Sequence, residues 1–186
     1  STMDGWVMRV GELLTPIAGV MRRELLGSTY IQADETPVDV QLQNGSGQNH
    51  QSYLWQYGTP GGGVFFDFRM GRGREGPKQF LGKFDGILQT DGYAAYDHIG
   101  GPRMVHSVCW SHARRKFIDA VKLNPKDVAA IRIVAPMDEM FAIDCRGRVE
   151  KMDHASRHAL RQQKAPALLA DIRALVVQLR DRDIGL

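Results

Sequence analysis

The chain has 186 residues, with 24 Lys+Arg against 21 Asp+Glu, 43% apolar residues and 24% charged ones. That profile suits one ordinary domain with a proper core and excludes both a disordered chain and a membrane composition. No apolar run approaches the roughly 18 residues that a bilayer span requires, no charged-then-apolar leader supports secretion, and two cysteines, Cys109 and Cys145, are too few for a disulfide framework. A reducing cytoplasm is therefore expected. Ser1, standing where an initiator methionine would, suggests a start lost from a longer chain. The charge is uneven: residues 1–100 hold 8 Lys+Arg and 11 Asp+Glu, a balance of −3, whereas residues 101–186 hold 16 and 10, a balance of +6. An acidic half followed by a basic half leans toward a protein that gathers cations in one place and meets polyanions in another.

In chain order, the first expected helix starts at Thr15-Pro16, a cap with a first-turn proline. It carries Ile17, Val20, Met21 and Leu25 on one face and stops at Gly27. Residues 30–34 read as a short buried strand that ends before Pro37. Residues 52–58 and 63–69 are aromatic and β-branched, and Thr59-Pro60-Gly61-Gly62 between them predicts a hairpin. A short helix over 77–84 presents Phe80, Leu81 and Phe84 on one side. Residues 87–91 and 104–109 are two further strands. From Ser111 the pattern turns helical, with Ala113, Phe117, Ala120 and Val121 inward, and the clearest later helix starts near Pro166 with Leu168, Leu169, Ile172, Leu175, Val176 and Leu179 inward. A hairpin followed by strands with helical crossovers predicts a mixed α/β sheet covered by helices.

Two acids occupy equivalent places, Asp34 ending one predicted strand and Asp91 ending another. On neighbouring parallel strands their carboxylates emerge at one edge, where they repel unless a cation lies between them. Mg²⁺ takes oxygen ligands and keeps waters that a phosphate displaces, and two such ions about 3.5–4 Å apart support phosphodiester chemistry. The competing reading is that both acids only cap and turn their loops.

Residues 71–76, Gly-Arg-Gly-Arg-Glu-Gly, match the dinucleotide-binding spacing G-x-G-x-x-G. Against that reading, the preceding strand carries Asp67 among its phenylalanines and the following helix is short. A flexible hairpin exit is the simpler assignment, with Arg72 and Arg74 still able to reach a nucleic-acid backbone. Cys109 and His112, with His106 upstream, have half the spacing of a zinc site, and Cys145 or His154 would have to complete it; a buried cysteine and a helix-start histidine explain them more simply. Arg114, Arg115 and Lys116 are either a solvated helix face or a phosphate-binding patch beside a carboxylate site. No Ser/His/Asp constellation is present.

Three blocks together carry a resemblance. Ala33-Asp34-Glu35-Thr36-Pro37-Val38, then Gly86-Ile87-Leu88-Gln89-Thr90-Asp91-Gly92-Tyr93-Ala94-Ala95-Tyr96, then Cys109-Trp110-Ser111-His112-Ala113-Arg114-Arg115-Lys116-Phe117 resemble, in order, the catalytic domain of bacterial transposases of the insertion-sequence 66 type. The resemblance is close over residues 10–125 and loose beyond. It implies a ribonuclease-H-like α/β fold, a mixed five-stranded sheet flanked by helices with a helical C-terminal extension. The implied layout is a helical lead-in over 1–28, a partial catalytic core over 29–125 and a helical insertion over 126–186 that is cut short. It further implies an Asp-Asp-Glu triad with Asp34 and Asp91 as the first two acids. Mg²⁺ or Mn²⁺ would be the cofactor, transposon-end and target DNA the substrates, and the bacterial cytoplasm the location. No membrane is involved, and the full-length protein would be a homo-oligomer. The expected chemistry is cleavage by water and then attack of the freed 3′-hydroxyl, with no covalent enzyme intermediate.

The family's third acid lies in a segment resembling Asp-Asn-Asn-x-x-Glu-Arg, which this chain lacks; Glu139 and Glu150 stand outside any such motif. The expectation is a fragment that is catalytically incomplete alone. Two rivals keep the fold: a decayed element that only binds DNA, and a nuclease or resolvase that never joins strands. A nucleotide-cofactor enzyme is a distant third.

Overall fold

A computed structural model describes residues 2–42 and 47–183, with side chains as far as residue 180. Ser1 and residues 184–186, at the outer ends of the predicted helical segments, lie outside the described residues. The chain divides into two units, residues 1–109 and 110–186.

The first unit opens with a long helix, α1 (Thr2–Leu26), followed by β1 (Tyr30–Gln41), β2 (Asn49–Gly58) and β3 (Val64–Arg69). A short helix α2 (Glu75–Leu81), β4 (Ile87–Thr90), a 3₁₀ turn at Ala94–Tyr96 and β5 (Val105–Val108) complete it. The five strands form one mixed sheet in the order β3-β2-β1-β4-β5. β1, β2 and β3 are an antiparallel meander, and β1, β4 and β5 run parallel. This is the predicted α/β sheet.

Residue alternation decides which face is buried. Ile31, Ala33, Trp55, Tyr57 and Leu88 point to one side, where Phe80 and Leu81 of α2, Phe84, and Ala95, Tyr96 and Ile99 close over them. The Tyr57 ring stacks on Phe80 at 3.8 Å between centroids, and Trp55 meets Tyr96 edge-on at 5.6 Å. Each of these side chains contributes on the order of 1.5–3 kcal/mol by leaving water. α1 joins this core near its C-terminal end, where Leu25 is buried and Arg22 donates to the carbonyls of Gln79 and Phe80.

Three local expectations are corrected. Pro16 lies inside α1, which begins at Thr2 rather than at a Thr15 cap. β1 runs through Pro37 to Gln41; it pairs with β4 only as far as Gln32, so beyond that point one edge is open and a missing N–H is tolerated. Pro166 is likewise interior to a helix that starts twelve residues earlier.

The second unit is helical: α3 (Trp110–Leu123), α4 (Val128–Val149) and α5 (His154–Asp183). Ile133 and Met137 of α4 and Ile172 of α5 form its buried centre, with Phe117, Met140, Leu175 and Leu179 packed around them. Leu169 and Val176, expected inward, are exposed, so the inward stripe of α5 is narrower than its sequence suggested. α4 is capped by Asp127, whose carboxylate accepts from the Ala130 amide at 3.0 Å. Asp127→Ala should cost about 1 kcal/mol, read as a lower urea midpoint in far-UV circular dichroism.

Candidate active site

Asp34 is the fifth residue of β1, in mid-strand rather than at its end, and Asp91 is the first residue after β4. The parallel register pairs Tyr30 with Ile87 and Gln32 with Gln89, and two more residues along each strand reach Asp34 and Asp91. Hydrogen bonds tie the two strands together just upstream. The Tyr30 hydroxyl donates to Gln89 Oε1 at 2.6 Å, and Gln32 Nε2 donates to the same oxygen at 2.9 Å. Asp34 stands two residues beyond Gln32 within β1, so strand alternation carries it to that side, and Asp91 stands two residues beyond Gln89, in the turn after β4.

Each carboxylate is held by one oxygen. Asp34 Oδ1 accepts from the Glu35 amide at 2.9 Å, and Asp91 Oδ1 accepts from the Tyr93 amide at 2.8 Å. The Asp91 turn is closed by Gly92, whose φ of 90° a side chain rarely adopts, while Thr90 Oγ1 accepts from the Gly92 amide. Thr90 also meets His106 Nε2 at 2.8 Å, and His106 Nδ1 lies 3.4 Å from Asp97.

Sequence reasoning missed the best-tethered residue here. Glu35 follows Ile31 and Ala33 on the buried side of β1, and its side chain is only 1% exposed. Arg72 donates to Glu35 Oε1 through Nε at 2.9 Å and Nη2 at 2.6 Å, and the Tyr96 hydroxyl donates to Oε2 at 3.0 Å. Burial pushes the Glu35 carboxyl above its ordinary value; Arg72 and Tyr96 oppose this, and the charge of Asp91 adds to it. The Arg72 guanidinium lies over the Tyr93 ring at 4.0 Å, and the Tyr93 hydroxyl donates to the Arg72 carbonyl. A continuous set of contacts thus runs from β1 through Arg72 to Tyr93 and the Asp91 turn. The available signal was the period of two, which puts a carboxylate on an apolar stripe.

The other candidates separate. Residues 71–76 leave an antiparallel edge strand, whereas a dinucleotide site needs a central parallel one, so the G-x-G-x-x-G match is coincidental. Arg72 is an ion-pair partner rather than an unpaired phosphate contact, and Arg74 is exposed, with Nη2 3.4 Å from the Ala94 carbonyl. Cys109 is half-buried and free, and its amide donates to the Thr90 carbonyl. His112 lies on α3 with Nδ1 buried and unpartnered, and Cys145 is exposed. Among the described residues no three His, Cys, Asp or Glu side chains come together to hold a metal, so the half-site at Cys109 and His112 is not completed. On α3, Arg114 pairs with Asp138 and lies over the Phe141 ring, while Arg115 and Lys116 are exposed.

The chain matches the sequence profile described as "Transposase IS66 family" over residues 1–184. The chain belongs to the IS66 transposase family. It is 31% identical over 201 residues to the uncharacterized protein y4qI of Sinorhizobium fredii, an alignment covering 100% of this chain and 36% of that protein. It is 26% identical to the uncharacterized protein y4jD of the same organism, over 97% of this chain and 37% of the relative. The chain thus spans little more than a third of the curated relatives it matches. No solved structure matches it significantly. With family membership shown, the mixed sheet is read as ribonuclease-H-like. None of the described helices is long and apolar enough to cross a membrane.

Proposed function

We propose that this chain carries the first two acids of a DDE-type transposase, Asp34 and Asp91, and serves metal-dependent cleavage and joining of transposon-end and target DNA. One observation carries the reading: both acids follow, at the same register step, a pair of hydrogen-bonded residues on adjacent parallel strands. The donor chemistry fits Mg²⁺ or Mn²⁺, which one or two carboxylates hold while water and substrate phosphate complete the shell. A divalent ion held there supplies Lewis-acid activation and charge neutralisation at a phosphodiester.

The chain's own residues do the positioning. The amides of Glu35 and Tyr93 each fix one carboxylate oxygen, leaving the second oxygen of Asp34 and of Asp91 without a hydrogen bond among the described residues. Glu35 and Arg72 tie the Asp91 turn to β1 by way of the Tyr93 ring. Arg74, Arg115 and Lys116 are the basic side chains suited to a phosphate backbone, with Arg72 and Arg114 contributing only as their ion pairs yield. The family's third acid is not in this sequence, so the polypeptide alone should lack strand-transfer activity.

Manganese titration followed by electron paramagnetic resonance tests this reading. The chain should bind Mn²⁺, and excess Mg²⁺ should displace it; a chain that takes up no divalent ion overturns the assignment. Robust nicking or joining of DNA ends by this polypeptide, lost in Asp91→Asn, would instead contradict its incompleteness.

A further inference from the structure

Most apolar side chains of α1 are exposed, Leu25 and Leu26 of its last turn excepted. Met3, Val7, Val10, Leu14, Ile17 and Met21 are 41–72% exposed, although they form a continuous stripe. Their spacings alternate four, three, four, three and four, so the five steps from Met3 to Met21 average 3.6 residues and keep the stripe on one face of the helix. A one-sided apolar stripe of this kind on a helix is normally buried against another element. Only Leu25 of α1 is buried in this chain. Trp6, Leu13 and Val20, seven residues apart, widen the seam on one flank.

We propose that α1 is a self-association helix, pairing with α1 of a second copy of this chain in antiparallel fashion. Area favours this occupant: nine seam and flank side chains exposing on the order of 100 Å² each come to roughly the 800–1,000 Å² per partner of a standard specific interface. Charge sets the direction. Asp4, Arg9 and Glu12 in the first half carry one net negative charge, and Arg22, Arg23 and Glu24 in the second carry one net positive charge. Antiparallel pairing brings the opposite halves together and opposes the two helix dipoles. It seats Val10 against Leu14 of the second copy at the centre, with Val7 against Ile17 and Met3 against Met21 at either end. This surface is independent of the carboxylate site and does not rest on the assignment of Asp34 and Asp91.

The test is the mass of the 186-residue chain by sedimentation equilibrium at micromolar to tens of micromolar concentration. We expect at least two copies per particle, with Leu14→Glu and Ile17→Glu each weakening association at least about tenfold, since each buries an unpaired charge at the seam. Val128→Glu, at a still more exposed apolar position on α4, should leave association unchanged. Far-UV circular dichroism of the same samples shows whether the helices persist in each variant. A parent chain that stays monomeric throughout overturns the proposal, because it reserves the seam for a different protein or another part of a longer chain. Association that both glutamate variants leave intact overturns it as well.

Discussion

Arg72→Ala should cost about 2–3 kcal/mol of stability at pH 8 and much less at pH 5. Removing one partner of a buried ion pair typically costs about 3–5 kcal/mol, because the other charge is left unpaired. The lower figure applies because the Arg72 side chain is 43% exposed and water already weakens its share of the attraction. Glu35 is the partner that cannot reach water. Burial has raised its carboxyl above the ordinary 4.5, and Arg72 is the largest influence pulling it back. Without Arg72 the folded-state value rises further. An acid whose folded value is raised favours the fold while protonated, below the unfolded value, and loses that contribution as pH climbs through the folded value. The gap between variant and parent should therefore open above about pH 4.5 and widen toward pH 8. Urea titrations at several pH values, followed through the buried Trp55, measure it. Glu35→Gln placed on the Arg72→Ala background should recover most of the loss, since an amide still accepts from Tyr96 and carries no charge. A loss that does not change with pH would mean that the guanidinium acts by packing on Tyr93 rather than by charge.

How much of this was legible in the sequence differs from element to element. The hairpin was, because Thr59-Pro60-Gly61-Gly62 separates two aromatic runs and leaves few other connections. The parallel pair β1 and β4 was legible as two short apolar strands, each running into an aspartate. The prolines misled. Pro16, Pro136 and Pro166 are all inside helices, where each forfeits one backbone hydrogen bond; read locally, Pro16 and Pro166 looked like helix starts, and only the surrounding pattern overrides that. The first half of α1 was missed because Gly5, Gly11 and Pro16 break up its local helix signal, and its apolar stripe never enters the core. The two proposed acids stood out in the sequence as aspartates after short apolar runs, although Asp34 lies in mid-strand and Asp91 just beyond one. The Glu35–Arg72 pair was not, because its members stand thirty-seven residues apart and meet only once the meander folds back.

Asp34→Asn and Asp91→Asn should each abolish the response of the chain to magnesium while leaving the metal-free fold as stable as the parent or slightly more so. Those two effects pull in opposite directions, which separates a metal site from a structural one. In the proposed site two carboxylates without a cation repel, and replacing one by a neutral amide removes that repulsion at little steric cost. The backbone contacts are preserved, because an asparagine oxygen can still accept from the Glu35 or Tyr93 amide. If the pair holds Mg²⁺ with a dissociation constant near 1 mM, about 10 mM of the ion stabilises the parent by roughly 1.4 kcal/mol, a rise of several degrees in melting temperature. Either variant should lose at least tenfold in affinity and show almost no rise. Melting curves with and without magnesium, on parent and both variants, give all the needed numbers in one experiment. Variants that melt lower without metal would assign the two aspartates to turn and cap duties. Variants that keep the magnesium-induced rise would place the ion elsewhere and end the case for Asp34 and Asp91 as its ligands.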